Sequence, residues 1–326
     1  MGEPLSESQR KPEIDLSLLV PVFNEEEAIP HFMDSVCRVM ARLGMSWEVL
    51  FVNDGSNDST LDTLRALQRQ HSEVRVIDFS RNFGKEAALT AGLDFSRGRA
   101  VIPIDVDLQD PPEVIGEMVE KWREGYEVVF AIRARRDSDS HLKSFSARLF
   151  YRFYNWMSQV EIPPDAGDFR LLDRRVVDAI CRLPERNRFM KGLFVWPGFR
   201  QAVVSYERQP RSRGNTKFSY WRLWNFAVDG VTSFSTLPLR VWSYVGGIVA
   251  LISFLYAIFL IGRTLSYGID VPGYASLMVV VLFLGGLQLL TLGIIGEYLG
   301  RTYEEVKGRP IYVVRETYGL DRDATS

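Results

Sequence analysis

The sequence predicts an α/β domain on a mainly parallel sheet, followed by a helix in a membrane interface and two transmembrane helices. Three observations lead there. Before residue 219, short apolar runs alternate with amphipathic stretches; polar clusters of Asp, Asn and Gly close several of those runs; after residue 219, two long stretches carry no charge. Regular strand–helix alternation implies βαβ units, whose strands lie parallel.

The first strand is expected over Leu16–Phe23, stopped by Asn24, with helical periodicity from Glu25 to Leu43. Further strands are expected at Trp47–Val52, Val74–Phe79, Ala100–Ile104 and Tyr126–Ile132, with a strand of mixed pattern at Gly198–Glu207. Helices are expected at Ser59–Gln70, Lys85–Ser96 and Pro111–Trp122, the last with proline in its first turn, where a missing N–H costs nothing. Ser138–Ser158 reads as a long aromatic-rich helix, its stripe suited to a core. Ligands in such sheets bind at the carboxyl ends of the strands, where the polar clusters fall.

Val241–Gly262 and Tyr274–Gly296 contain no charged residue, and each is long enough to cross a hydrocarbon core of about 30 Å as a helix. A pair of buried core helices is the alternative, though uncharged runs of this length are rare in soluble domains. Trp242, Tyr244 and Tyr298 stand near span ends, as interfacial anchors do. The loop Arg263–Gly273 holds one Arg, whereas the outer flanks hold Arg222, Arg240, Arg301, Lys307 and Arg309, which places both termini in the cytoplasm. Tyr220–Leu237, with Trp221, Trp224, Phe226 and Phe234, reads as an amphipathic helix in the interface or as an ordinary packed helix. The expected organisation is a disordered tail at 1–15, the α/β domain at 16–218, the interfacial helix at 219–239, two transmembrane helices within 240–299 and a cytoplasmic tail at 300–326.

Composition narrows the function classes. With 39 Lys+Arg against 41 Asp+Glu, the net charge of −2 gives no general affinity for polyanions, so no nucleic-acid partner is expected. The two cysteines, Cys37 and Cys181, lie far apart without metal-type neighbours, which fits thiols in a reducing compartment. Residues 1–15 lack the apolar core of a signal peptide.

The sharpest local signal is Asp105-Val106-Asp107-Leu108-Gln109-Asp110, directly after a strand. Two carboxylates two residues apart at a strand end can reach one hard cation, and Mg²⁺ or Mn²⁺ commonly bridges such ligands to substrate phosphates. Acid pairs are common on loops, so this motif gains weight only from its context. An EF-hand would need a longer ligand series, and neither G-x-G-x-x-G after the first strand nor a P-loop is present. Pro21–Glu26 and Asn53-Asp54-Gly55-Ser56 close two strands and offer carboxylates and a close-approach glycine to a nucleotide. Asn82-Phe83-Gly84-Lys85 turns into a helix whose N-terminus favours an anion.

Together Val20–Glu26, Val52–Ser56, Asn82–Lys85 and Asp105–Pro112 resemble glycosyltransferases of family two, which have the Rossmann-like GT-A fold. Asp165–Leu171, Arg188–Gly192, Arg211–Lys217, the two spans and Gly296–Pro310 resemble the polyprenyl-phosphate branch of that family, bactoprenol glucosyltransferases and dolichyl-phosphate mannose synthase among them. The resemblance runs from Leu16 to Arg315. One departure is Asn53, where relatives often carry a second Asp.

The resemblance implies transfer of a sugar from a nucleotide-sugar to undecaprenyl or another polyprenyl phosphate, with inversion, at the cytoplasmic face of a bacterial inner membrane. Glucose from UDP-glucose is favoured; aminoarabinose, mannose and N-acetylglucosamine donors stay open. By the same resemblance Pro21, Phe23, Glu25, Val52 and Asp54 hold the nucleotide, and Val106 and Arg133 face the donor. Asp105, Asp107 and Gln109 hold Mg²⁺ or Mn²⁺ and the diphosphate. Arg211 and Lys217 meet phosphates, and Asp168 sits near the transfer point. A headgroup patch is the alternative for residues 208–217, and a capping acid beside Gly167 for Asp168. A homo-oligomer such as a tetramer is implied. A processive synthase would add spans and a Q-x-x-R-W motif, neither of which is found. A non-catalytic membrane scaffold should lose the Asp105 and Asp107 acids, and a soluble nucleotide-binding regulator would not need the spans.

Overall fold

The computed structural model describes residues 14–133, 166–186, 188–206, 237–267 and 273–320. The expected interfacial helix up to residue 236, the aromatic helix at 138–158, and Arg211 and Lys217 lie outside the described residues.

The strands are β1 (Leu16–Val22), β2 (Trp47–Asn53), β3 (Val74–Phe79), β4 (Ala100–Pro103), β5 (Val128–Arg133), β6 (Ala166–Asp173), β7 (Gln201–Tyr206) and β8 (Val314–Tyr318). The α-helices are α1 (Ala28–Leu43), α2 (Thr60–Gln70), α3 (Lys85–Phe95), α4 (Ile115–Arg123), α5 (Arg174–Cys181), α6 (Met190–Leu193), α7 (Leu237–Tyr267) and α8 (Tyr274–Lys307). They assemble one eight-stranded sheet in the order β7-β5-β6-β4-β1-β2-β3-β8.

β1, β2, β3 and β4 pair parallel, as their βαβ connections require. β6 inserts antiparallel between β4 and β5, and β8 adds antiparallel to the edge of β3. The sheet is therefore mixed and mostly parallel, in keeping with a GT-A-like domain. Alternate residues feed the two faces. Leu16, Leu18, Val20 and Val22 pack with α1 and α4 on one side, while Leu19, Leu50, Val52 and Ile77 pack with α3 and α5 on the other. Both faces are covered, which is why β1 and β2 read as nearly unbroken apolar runs.

Asp15 is tied to Ser46 by its backbone N–H (2.9 Å to Oγ) and its carboxylate (2.8 Å from Ser46 Oγ), although the expected tail ran through it. The expected C-terminal tail is structured through residue 320. α8 continues to Lys307, and Gly308 then turns the chain at φ +65° back to the domain, where β8 joins the sheet.

Among the described residues one stretch, Phe283–Lys307, is long and apolar enough to cross a membrane, and none of its apolar window is buried within the protein. The structure thus gives one candidate crossing where the sequence led us to expect two. α7 is an equally continuous helix, with Tyr244, Ile252 and Phe254 exposed along it.

Candidate active site

β1 continues through α1 to β2 on one side, whereas β4 joins β1 on its other side. Their carboxyl ends therefore diverge, which leaves the crevice where open α/β sheets bind ligands. A cleft of ≈ 390 Å³ opens there, lined among others by Pro21, Phe23, Glu25, Asp54, Asp105 and Asp107. Val106 lines it too. The two strand-end clusters and the acid pair thus converge on one space.

Each wall has a local cause. Asn24, at φ 56, bends the chain out of β1 and lets Phe23 stand 42% exposed beside Glu25. Asp54 accepts the backbone N–H groups of Phe83 (2.6 Å) and Gly84 (2.9 Å), which pins the β2 tip to the turn before α3. Burial pushes the Asp54 carboxyl up, and those two N–H groups hold it down. Gly55 is required here: its φ is +65°, and a Cβ would meet the Arg81 carbonyl carbon at 2.4 Å.

The acid loop carries one left-handed residue, Leu108 at φ 56, which reverses the chain after Asp107. The Gln109 N–H donates to Asp107 Oδ1 at 3.1 Å. Gln109 itself is 3% exposed and does not line the cleft, and the neighbouring Asp110 accepts the Tyr206 hydroxyl. Val52 is buried in β2 and also stands behind the cleft wall. Arg133 closes β5, paired with Tyr206 of β7; only its backbone is described.

Lys85, absent from the expected site residues, organises the floor of the cleft. Its Nζ lies 2.7 Å from Asp105 Oδ1, 3.0 Å from Asp105 Oδ2 and 2.8 Å from Asp168 Oδ2. Asp168 arrives because β6 is antiparallel, so its first residues sit beside the carboxyl end of β4. Burial alone would raise the Asp168 carboxyl, but Lys85 and Lys191 bring it down to about 2. Burial works against the charge on Lys85 too, yet Asp105 and Asp168 raise its pKa well above the ordinary lysine value. Glu86, next on α3, accepts the Met190 N–H at 3.1 Å. Burial and the nearby Asp168 push it up to about 7. Lys191 on α6 completes the cluster, its pKa lowered chiefly by burial. The Asn82–Lys85 and Arg188–Gly192 motifs had marked both lysines without showing that they meet at Asp168.

Among the described residues no group of three or more His, Cys, Asp or Glu forms a closed metal cage. The donor set still fits a hard divalent cation of the kind that takes one or two carboxylates and completes its shell with phosphate oxygens and water. Asp107 and Asp105 are the carboxylates on the cleft wall, and Asp105 already has both oxygens against Lys85.

Residues 17–181 match the family model "Glycosyl transferase family 2", and residues 237–302 match "GtrB C-terminal hairpin". An uncharacterised glycosyltransferase of Synechocystis is 54% identical over 308 residues, covering 94% of this chain and 97% of the relative. The SfII prophage-derived bactoprenol glucosyl transferase of Shigella flexneri is 51% identical over 303 residues, covering 93% and 98%. Among solved structures, glucosyl-3-phosphoglycerate synthase of Mycobacterium tuberculosis with Mn²⁺ and UDP-glucose aligns at 19% identity and TM-score 0.47, over 67% of this chain and 77% of that one. The family match over residues 17–181 and identities of 54% and 51% to glycosyltransferases across nearly the whole chain lead to one conclusion: the chain belongs to glycosyl transferase family 2 and is a glycosyltransferase with a GtrB-type C-terminal hairpin.

Proposed function

We propose that this enzyme transfers glucose from UDP-glucose to a polyprenyl phosphate, with inversion, at the cytoplasmic face of a bacterial inner membrane. The observation that carries the reading is the cleft at the β1/β4 divergence, where Phe23, Glu25 and Asp54 lie opposite Asp105 and Asp107. The relative named as a bactoprenol glucosyl transferase supports the lipid acceptor and the sugar.

In this reading Pro21, Phe23, Glu25, Val52 and Asp54 form the nucleotide wall, Val52 from behind. Val106 and Arg133 face the donor. Asp105 and Asp107 hold Mg²⁺ or Mn²⁺, with Gln109 bracing Asp107 through its N–H. When bound, the cation supplies positive charge against the diphosphate that departs. Arg211 and Lys217 add charge to the same phosphates.

A phosphate monoester has a second pKa of about 6, so the acceptor is already an anion at neutral pH and needs no strong base. Asp168 agrees with this: a carboxyl held at about 2 is a poor base but a persistent anion. It orients Lys85 and the incoming group. α7 and α8 are both read as transmembrane, with both termini cytoplasmic and residues 219–239 as the interfacial segment that leads into α7, so the cleft stays near the headgroup plane. The assembly is read as a homo-oligomer such as a tetramer.

The test is a donor panel of UDP-glucose, UDP-N-acetylglucosamine, GDP-mannose and a UDP-aminoarabinose derivative. Each is offered with undecaprenyl phosphate and Mg²⁺ or Mn²⁺, and lipid-linked product is weighed by mass spectrometry. A hexose adduct from UDP-glucose is expected. Product from another donor alone refutes the glucose assignment, and no lipid product from any donor refutes the acceptor.

A further inference from the structure

The chain that leaves α8 does not end at the membrane. Residues 309–320 run back along the catalytic domain as a strap, and β8 becomes the edge strand beside β3. The end of α8 and the strap are attached by specific contacts. Glu305 accepts the Arg186 N–H (2.9 and 3.1 Å), Tyr312 stacks on Phe79 at 5.2 Å and 11°, and the Tyr312 hydroxyl donates to Asp94 Oδ2 at 2.8 Å. Ser80 N–H donates to Val313 O at 3.0 Å, and Arg315 Nη2 donates to Ser80 O at 2.6 Å.

Arg315 also stands 3.6 Å from the Oδ2 of Asp78, a carboxylate only 1% exposed at the end of β3. The other oxygen, Oδ1, accepts from Asn53 Nδ2 at 2.8 Å. Asn53 Oδ1 accepts from Ser56 Oγ at 2.6 Å, and Ser56 Oγ accepts from the Asn24 N–H at 2.9 Å. Asn24 Oδ1 in turn accepts the Asn57 N–H at 2.8 Å. A polar path therefore runs from the strap to the residue between Phe23 and Glu25: its first link is the 3.6 Å ion-pair contact of Arg315 with Asp78, and the links beyond are hydrogen bonds.

That residue needs holding. Asn24 sits at φ 56, a left-handed conformation that asparagine reaches more readily than other L-residues and that its hydrogen bonds to Ser56 and Asn57 hold here. It decides where Phe23 and Glu25 point. We infer that Arg315 and Asp78 are positioning residues for the donor pocket: through Asn53 and Ser56 they hold Asn24 in its left-handed turn, so the segment emerging from the membrane hairpin sets donor affinity. The departure at Asn53 belongs to this path. An Asp there would set a second carboxylate against buried Asp78, whereas the Asn amide donates to it. Arg315 neither lines the cleft nor reaches the reacting atoms, so its effect falls on donor binding and not on the chemical step.

The inference rests on the reading of the cleft as the donor site, so the test has an arm that does not. The full chain in detergent is studied as wild type, Arg315→Gln, Arg315→Lys and Asp78→Asn. Amide exchange is followed without ligand in peptides covering residues 22–26 and 53–57, and KM and kcat are measured with UDP-glucose. Arg315→Gln and Asp78→Asn are expected to speed exchange at those tips and raise the donor KM by roughly tenfold, the scale of a hydrogen bond to a charged group gone slack. kcat and the acceptor KM should stay within about twofold, and Arg315→Lys should recover part of both changes, because a point charge restores the attraction to Asp78. Unchanged exchange at the tips overturns the inference. So does faster exchange across the whole sheet with a lowered melting temperature, which marks a merely structural strap. Faster tip exchange with an unchanged donor KM overturns the link to donor affinity. If wild type transfers nothing from UDP-glucose, the donor reading fails by itself, and tip exchange still decides whether the path exists.

Discussion

Glu86 lets the electrostatics of the cleft floor be tested without any substrate. It sits on the first turn of α3, half-buried, with Asp168 nearby and the Met190 N–H on its carboxylate. Burial and Asp168 raise it from 4.5 to about 7. The folded protein therefore holds this proton more tightly than the unfolded chain. Between pH 4.5 and 7 the native state binds more protons at this site, so stability falls as pH rises through that window and levels off above it. At about 1.4 kcal/mol per pH unit the full effect is about 3 kcal/mol. Part of the carboxylate still meets water, which reduces the expected value to about 2 kcal/mol. Glu86→Gln mimics the protonated form and keeps an acceptor for Met190. The variant should match wild type near pH 5 and exceed it by about 2 kcal/mol at pH 8, roughly 5 °C in Tm for a domain of this size. The assay is thermal and urea unfolding of both proteins in detergent and EDTA at pH 5, 6.5 and 8. A stability difference that does not change with pH, or a variant less stable at pH 8, would refute the electrostatic account of the cluster.

Other consequences are open to direct measurement. Asp107→Ala should lower transfer by on the order of 10³-fold, as should EDTA, while the melting curve is unchanged; near-normal turnover by the variant would remove Asp107 from the metal site. Arg211→Gln and Lys217→Gln should each lower transfer by on the order of a hundredfold, and salt should not reproduce the loss, as it would for a headgroup patch; retained transfer would return the run to that patch, and unfolding would make it structural. For the hairpin, a membrane-impermeant thiol reagent applied to intact cells should reach Ser266→Cys and miss Ser326→Cys; the reverse pattern would invert the topology.

The sequence by itself determined the parallel half of the sheet. β1 to β4 are apolar runs closed by polar clusters, and that pattern is written in local period and turn chemistry. It determined most of the cleft as well, because in a parallel α/β sheet the carboxyl ends flanking an order reversal open onto one crevice, so Phe23, Asp54 and Asp107 had to share one side. Local pattern could not reveal the antiparallel members. β6 carries Asp168 and Arg170 among its apolar residues, and the completely buried Arg170 is stabilised by Phe130 and Phe194 against its guanidinium, at 5.0 and 4.5 Å, and by the Gly167 carbonyl that accepts from it. β8 is five residues with charges at Arg315 and Glu316, a pattern that suits an edge strand and equally a tail. Only tertiary structure decided that Lys85 joins Asp105 to Asp168, that Gln109 and Val52 stand behind the cleft wall, and that the chain beyond α8 returns to the sheet. The Asp168 contact and the return of the chain join residues far apart in sequence and are fixed by how β6 and β8 enter the sheet, and no local periodicity carries that information.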